Sequence, residues 1–279
     1  MEPFKVPGKI FLMGEYSVIE GGKAIVAALN PAFEYSTTKG APVSIHPDSP
    51  IGKYLSQTNQ KLSLRQFDEG LGAGFGSSTA ELIAGMQFVN GAIPQSSAIL
   101  SWYKKEFPEA SGADLAVQLE ALHQHHGLFE VQKIPSMIKA IGYTAELHQI
   151  LLFQTPPAEK LPTHVDLKKT RPSLDLTVAN AFVDRLSLSF RTGNRVGLTV
   201  LTEWANWLSG LGLETELAQK IRSNLIQIPG VIGAKGCGAG LNDVFMVAIE
   251  ENASVEAKLM TVANEFQLRF LGNLAERLC

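Results

Sequence analysis

Gly72-Ala73-Gly74-Phe75-Gly76-Ser77-Ser78-Thr79-Ala80 sets three glycines within five residues directly ahead of a helical pattern. Glycine admits positive φ and lets backbone N–H groups come close to an anion. A helix N-terminus adds unpaired N–H groups and the positive end of the helix dipole, so the combination suits a phosphate. The stretch is not a Walker A loop, because no lysine follows its last glycine. It also fails the dinucleotide fingerprint, whose third glycine would fall on Ser77. A capping box, Ser78-x-x-Glu81, would explain the serine and the glutamate without any ligand, but not the glycines. The helix is expected over Ser78–Asn90, with Leu82, Ile83, Met86 and Val89 as its apolar stripe and Gly91 as its stop.

Two further glycine-rich stretches flank this one. Pro7-Gly8-Lys9-Ile10-Phe11-Leu12-Met13-Gly14-Glu15-Tyr16 lies near the start, and Gly233-Ala234-Lys235-Gly236-Cys237-Gly238-Ala239-Gly240-Leu241-Asn242-Asp243 runs as a loop into the apolar segment Val244–Ile249. The patterns predict strands near Lys9–Met13 and Ala24–Leu29, joined through Glu20-Gly21-Gly22. Residues 40–72, with Pro42, Pro47 and Pro50, read as irregular. A second helix is expected from Ser111 to Gln124, with Leu115, Leu119 and Leu122 on one face; Ser111-x-x-Asp114 fits its cap. Near residue 145 the texture changes. Ile150–Phe153 reads as a buried strand, Pro156-Pro157 and Pro162 as a loop, and Arg171-Pro172 to Ile228 as mainly helical. The strand Val244–Ile249 follows, then a last helix carrying Leu259, Val262, Phe266 and Phe270. The mixture is α+β.

The totals exclude several classes. With 279 residues, 45% apolar and 18% charged, the chain is long enough for two globular cores. A net charge of −3 gives no basic footprint for nucleic acid. Two cysteines, Cys237 and Cys279, make no disulfide framework and suit a reducing cytoplasm. No apolar run reaches membrane-spanning length, and Lys5, Lys9 and Glu15 interrupt the N-terminus, so no membrane association or signal peptide is expected. Cys237 reads as a small residue filling a tight turn, with a reactive thiol as the alternative. His123, His125 and His126 lack the i, i+4 spacing of paired metal ligands and suit a helix C-terminus. Trp102, Trp204 and Trp207 read as core or half-buried surface, and Thr163-His164 as a candidate lid.

In this order, the three stretches resemble the signatures of the galactokinase–homoserine kinase–mevalonate kinase–phosphomevalonate kinase (GHMP) superfamily, and the resemblance runs from residue 7 to residue 243. It implies a two-domain GHMP kinase fold: residues 1–147 as an ATP-binding domain like ribosomal protein S5 domain 2, and 148–279 as a ferredoxin-like domain. It further implies ATP and Mg²⁺ as cofactors, a small-molecule substrate, and a monomer or homodimer. Gly72, Gly74, Gly76, Ser77, Ser78 and Thr79 would hold the ATP phosphates, with Ser78 as metal ligand. Ser111-Gly112-Ala113-Asp114 is similar to the family's S-G-x-D, which makes Lys9 and Asp114 the catalytic pair. Glu15, Tyr16, Ser111, Lys235, Gly238 and Ala239 would face the substrate. The aromatic Gly14-Glu15-Tyr16 resembles phosphomevalonate kinases; mevalonate kinase, diphosphomevalonate decarboxylase and a non-catalytic ligand sensor are the alternatives. The chain departs from the pattern at Cys237, at Leu241-Asn242, and at Tyr103, where mevalonate kinases carry a glutamate.

Overall fold

The computed structural model describes residues 3–37, 45–67, 74–124, 127–132, 137–143, 147, 149–156, 173–238, 243–250 and 252–278. Among them two antiparallel sheets are built from successive stretches of chain. The first contains β1 (Phe4–Met13), β2 (Lys23–Thr37), β3 (Leu64–Phe67), β4 (Leu128–Gln132) and β5 (Met137–Ala140). Its order is β1-β2-β4-β5, with β3 also pairing β2. The second contains β6 (Ile150–Gln154), β7 (Val231–Cys237), β8 (Val244–Ile249) and β9 (Arg269–Asn273), in the order β7-β8-β6-β9.

The expected strands at Lys9–Met13 and Ala24–Leu29 are the centre of the β1–β2 pairing, where Lys9 lies opposite Ala28. Both strands read as continuous apolar runs because both faces of the sheet are covered. Ile10 and Leu12 join the main core from one face, with Ile25, Ala27 and Leu29 of β2. Phe11, Ala24, Val26 and Ala28 join a smaller cluster on the other. Strand alternation produces this division, and double burial removes the polar beat that a half-exposed strand would show.

Nine α-helices lie among the described residues. Helix α1 spans Pro50–Thr58, α2 Ser77–Asn90, α3 Ser96–Glu106, α4 Ala113–Gln124 and α5 Leu176–Thr192. They are followed by α6 at Val200–Gly210, α7 at Glu216–Ile226, α8 at Ala253–Glu265 and the short α9 at Leu274–Arg277. Helix α2 ends as expected at Gly91, in the left-handed region at φ 73°. Helix α4 starts two residues later than expected. It is also buried on more than one face: Leu115 and Leu119 enter the main core, Ala113, Val117 and Ala121 the smaller one.

Several expectations are corrected. Residues 50–58 are helical rather than irregular: Pro50 occupies the first helical position, where its missing N–H costs nothing, and Ser49 caps by accepting from Gly52 N at 3.1 Å. Ile51 packs onto α2 where Gly85 leaves room for it. The third glycine stretch is not wholly a loop, since Val231–Cys237 forms β7. The last long helix stops at Glu265; Gln267 turns the chain at φ 55°, and Phe270 lies on β9. Trp204 is fully buried in an aromatic cluster with Phe182 and Trp207. His123 is in the last turn of α4, while His125, His126, Thr163 and His164 lie outside the described residues.

Polar contacts tie α5 to the first sheet. Lys23 N donates to Asn180 Oδ1 at 2.8 Å, Lys23 Nζ pairs with Asp184 at 2.6 Å, and Ser187 Oγ donates to Glu130 at 3.2 Å. On the second sheet, β7 is an edge strand, and Thr202 of α6 covers part of it. The Thr202 hydroxyl accepts from Ala234 N at 2.9 Å and donates to Ala234 O at 3.4 Å.

The chain leaves β1 through Gly14 at φ 88°, where an added Cβ would sit 2.3 Å from Lys23 O and 2.5 Å from Ala24 Cα. Both the backbone conformation and the close backbone neighbours exclude a side chain. Gly14→Ala is therefore expected to cost at least about 2 kcal/mol, read as a lower urea midpoint with an unchanged slope. A midpoint equal to that of the parent chain would contradict this account of the turn.

Candidate active site

The site grows from the N-terminus of α2. Gly76 is the N-cap, held in the left-handed region at φ 81° and ψ 33° without a side-chain cap. The capping box is therefore not formed: the helix begins at Ser77, one residue earlier than expected, and Ser77 and Ser78 are exposed. The Glu81 carboxyl, its would-be partner, is half-buried and raised above its ordinary pKa by desolvation. Thr79 differs from the two serines. Its buried hydroxyl donates to Gln118 Oε1 at 2.5 Å and lies 3.0 Å from Gly76 O. Gly72 lies outside the described residues.

Strand β1 runs against this helix start. Lys9 N donates to Phe75 O at 2.9 Å, and an added Cβ at Gly76 would meet Lys9 Cε and Cγ, each at 2.9 Å. The lysine stem thus fills the space that a side chain at position 76 would need. Lys9 shares its face of β1 with Phe11, over whose ring its ammonium stands at 4.9 Å. The ammonium pairs with Asp114 Oδ2 at 3.0 Å. Lys9 is buried and Asp114 about one-third exposed, so the carboxylate forms the open side of the pair.

Asp114 opens α4 after Gly112, which is at φ 77°. Of the expected Ser111–Asp114 cap only the serine acts, accepting from Ala113 N at 3.2 Å. The aspartate turns to Lys9. Tyr103 of α3 lies near it: burial first, and then the Asp114 charge, drive the phenol well above its ordinary pKa and keep it protonated.

The second and third glycine stretches meet at Asp243. A Cβ at Gly74 would lie 2.6 Å from Asp243 Cβ, and one at Gly238 would lie 2.0 Å from Asp243 Oδ2. Asp243 N donates to Cys237 O at 3.0 Å, and Thr155 N and Oγ1 hold Asp243 O at 3.1 and 3.0 Å. Burial raises the Asp243 carboxyl, and the nearby Lys9 charge opposes that shift. Asp243 and Gln118 have no assigned role in the sequence reading. Their signals were a carboxylate closing a glycine run and a glutamine one turn beyond Asp114 in an apolar helix.

Glu15, Tyr16 and Lys235 are not exposed to a cleft as expected. Lys235 Nζ pairs with Glu15 Oε1 at 2.9 Å with both side chains sealed from solvent, and the fully buried Tyr16 hydroxyl reaches Leu213 O at 3.5 Å. The reason lies in the strands: Lys235 is an inward position of β7, against the chain leaving β1. Burial alone would lower the Lys235 pKa, but the adjoining Cys237 sulfur and Glu15 carboxylate outweigh it and hold the ammonium above its usual value. Cys237 ends β7 rather than filling a turn, and burial pushes its thiol up to about 12. Ala239 lies outside the described residues.

No family model and no curated protein matches the sequence. Solved structures do. The Streptococcus pneumoniae phosphomevalonate kinase is 16% identical, with all of both chains covered and a TM-score of 0.73. The fold is that of the GHMP kinases. Methanococcus jannaschii mevalonate kinase gives 15% identity, 96% of each chain and a TM-score of 0.68. Lactococcus lactis galactokinase gives 12% identity, 97% of this chain, 92% of that one and a TM-score of 0.71. The α+β expectation holds. No described helix is long and apolar enough to cross a membrane.

Two measurements check the site's interior. Lys235→Met strands a buried carboxylate and should lower unfolding free energy by about 3–5 kcal/mol. Because the Lys235 pKa is raised on folding, its contribution is complete below the ordinary lysine value of 10.5 and is lost only as pH rises through the folded value. A Lys235→Met deficit below about 1 kcal/mol at pH 7 would show that the pair is not charged. Separately, Cys237 in the folded chain should resist maleimide at pH 8, as read by peptide mapping, and become reactive in urea. Rapid native labelling at Cys237 would contradict the raised thiol pKa.

Proposed function

We propose that this chain is an ATP-dependent small-molecule kinase that binds nucleotide phosphates at the N-terminus of α2 and its acceptor beside Lys9 and Asp114. One observation carries the reading: the 3.0 Å Lys9–Asp114 pair stands against a glycine-capped helix start whose two serines are exposed. The N–H groups of Ser77, Ser78 and Thr79 face the phosphates, and Gly74 and Gly76 let Asp243 and Lys9 pack close to that helix start. In this reading residues 1–147 form the ATP-binding domain and 148–279 the second domain, which adds Gly238 and Ala239 to the substrate side with Ser111. Glu15, Tyr16 and Lys235 support that side from behind.

Mg²⁺ fits these residues. The described residues hold no group of three His, Cys, Asp or Glu that would make a metal cage. Mg²⁺ needs none, because it keeps several waters and takes substrate phosphates with one or two protein oxygens. The exposed Ser78 hydroxyl is the oxygen we assign, and the ion neutralises phosphate charge when bound.

Transfer makes one O–P bond and breaks another. The acceptor oxygen attacks the γ-phosphorus, its bond to the β–γ bridging oxygen breaks, and ADP leaves with that electron pair. Asp114 takes the proton of an acceptor hydroxyl. Lys9 holds positive charge where negative charge gathers on the phosphoryl oxygens. Phosphomevalonate is the acceptor we assign, on Gly14-Glu15-Tyr16 and Gly233-Ala234-Lys235, and because a similar fold is known in complex with phosphomevalonate and AMPPNP. Mevalonate is the second reading, favoured by the Lys9–Asp114 pair, since an alcohol needs a positioned base more than an ionised phosphate does.

A coupled ADP-release assay over mevalonate, phosphomevalonate, diphosphomevalonate, homoserine and several sugars tests the class and the acceptor together. Lys9→Met should lower kcat by ~10²–10³-fold with KM for ATP near that of the parent, because its charge acts mainly in the transition state. Asp114→Asn should cost ~10²–10⁴-fold on an alcohol and less on a phosphate acceptor. Full activity of either variant on the best acceptor would remove the catalytic assignment.

A further inference from the structure

Gln118 lies one turn after Asp114 on α4, is fully buried, and engages both ends of its amide. Its Nε2 donates to Pro7 O at 2.8 Å and to Gly76 O at 3.2 Å, and its Oε1 accepts from Thr79 Oγ1 at 2.5 Å. A side-chain amide offers two donor hydrogens and a carbonyl oxygen with two lone pairs, so both donors and one of the two acceptor sites are engaged. The three partners belong to different parts of the candidate site. Pro7 lies two residues before Lys9 on β1, Gly76 caps α2, and Thr79 is in the first turn of α2.

The Gly76 bond has a directional consequence. In a trans peptide the C=O of one residue and the N–H of the next point in opposite directions across a rigid plane. Holding the Gly76 carbonyl inward toward Gln118 therefore turns the Ser77 N–H outward. The same carbonyl also accepts from Ala80 N at 3.0 Å, which fixes the plane further. Lys9 closes the ring: its N bonds Phe75 O, its stem fills the space at Gly76, and its ammonium meets Asp114 on the helix that carries Gln118.

We propose that Gln118 is a positioning residue that sets the distance and orientation between the phosphate-binding N–H of Ser77 and the Lys9–Asp114 pair. This inference rests on the kinase reading, which supplies a donor at one end of the ring and an acceptor at the other. Without Gln118, the Gly76–Ser77 peptide and the Pro7–Lys9 segment keep their own helix and strand bonds but lose their common reference. The γ-phosphoryl group then aligns less well with the acceptor than with water, so ADP forms without phosphorylated product. A purely structural glutamine would lower stability and leave that ratio alone.

Gln118→Leu removes all three bonds at similar volume. Gln118→Glu keeps the shape and can still accept from Thr79, but its carboxylate donates to neither carbonyl. Leu119→Ala, a core truncation on the same helix, is the control for lost stability. The assay measures kcat, KM for ATP, and moles of ADP per mole of phosphorylated acceptor, using the best acceptor of the parent chain. The expected result is a ~10–10²-fold lower kcat for the Gln118 variants, the scale of loss from a misplacement of about 1 Å. Their ADP-to-product ratio should exceed one, while Leu119→Ala stays at one. If Gln118→Leu does not fold, Gln118→Glu carries the test. Folded Gln118 variants with parental kcat and a ratio of one overturn the inference, as does equal uncoupling in Leu119→Ala. A parent chain inactive on every acceptor overturns the kinase reading and this inference with it, whereas an active parent with fully coupled variants overturns the inference alone.

Discussion

The buried pair between Glu15 and Lys235 joins positions 220 residues apart, and the arrangement of the site depends on it. Removing two charges from water costs several kcal/mol for each ion, recovered only when they meet at close range with good geometry. The exit of β1 and the middle of β7 must therefore sit where the ammonium and carboxylate meet at 2.9 Å. Three residues beyond Lys235, Gly238 meets Asp243, which also lies against Gly74 of the second glycine stretch. One charge pair thus aligns the two sheets closely enough for glycines from separate halves of the chain to share a neighbour. A hydrophobic pair of the same size could match it in energy but would tolerate sliding, because apolar contact has no direction.

Much of the fold was legible because burial leaves patterns. The runs Lys9–Met13 and Ala24–Leu29, the stripe Leu82, Ile83, Met86 along α2, and Gly91 at its end all follow from local rules that tertiary contacts reinforced. The errors have equally local causes. Pro50 reads as a breaker unless Ser49 is recognised as its cap. Glycine density in Gly233–Gly238 suggests a loop, yet the absence of side chains there serves close approach instead: a Cβ at Gly233 would lie 2.4 Å from Leu198 O. Phe270 continues the helical spacing of Leu259, Val262 and Phe266, but a single left-handed residue, Gln267, intervenes.

The site was legible in residue type more than in exposure. Lys9 and Asp114 meet as an ion pair, as their opposite charges allow, although they lie far apart in the chain. Glu15 and Lys235 have the same residue types, but a sequence does not state what covers a side chain, and here each covers the other. Gln118 escaped notice because glutamine carries no charge and is common on helix surfaces. Only its burial, with every amide group engaged, distinguishes it from a solvated residue.

The hydroxyl of Thr202 has a bearing on how the molecule behaves among its own copies. An uncovered edge strand offers a row of N–H and C=O groups to which another chain can add, the first step of many aggregation routes. At Ala234 both groups are already engaged by Thr202, so a side chain on α6 stands in for the missing neighbour strand. Sheet growth is blocked at that residue whatever the protein concentration. Gly233 beside it, which would otherwise leave this edge flat and accessible, can then remain free of a side chain for the close approach of Leu198.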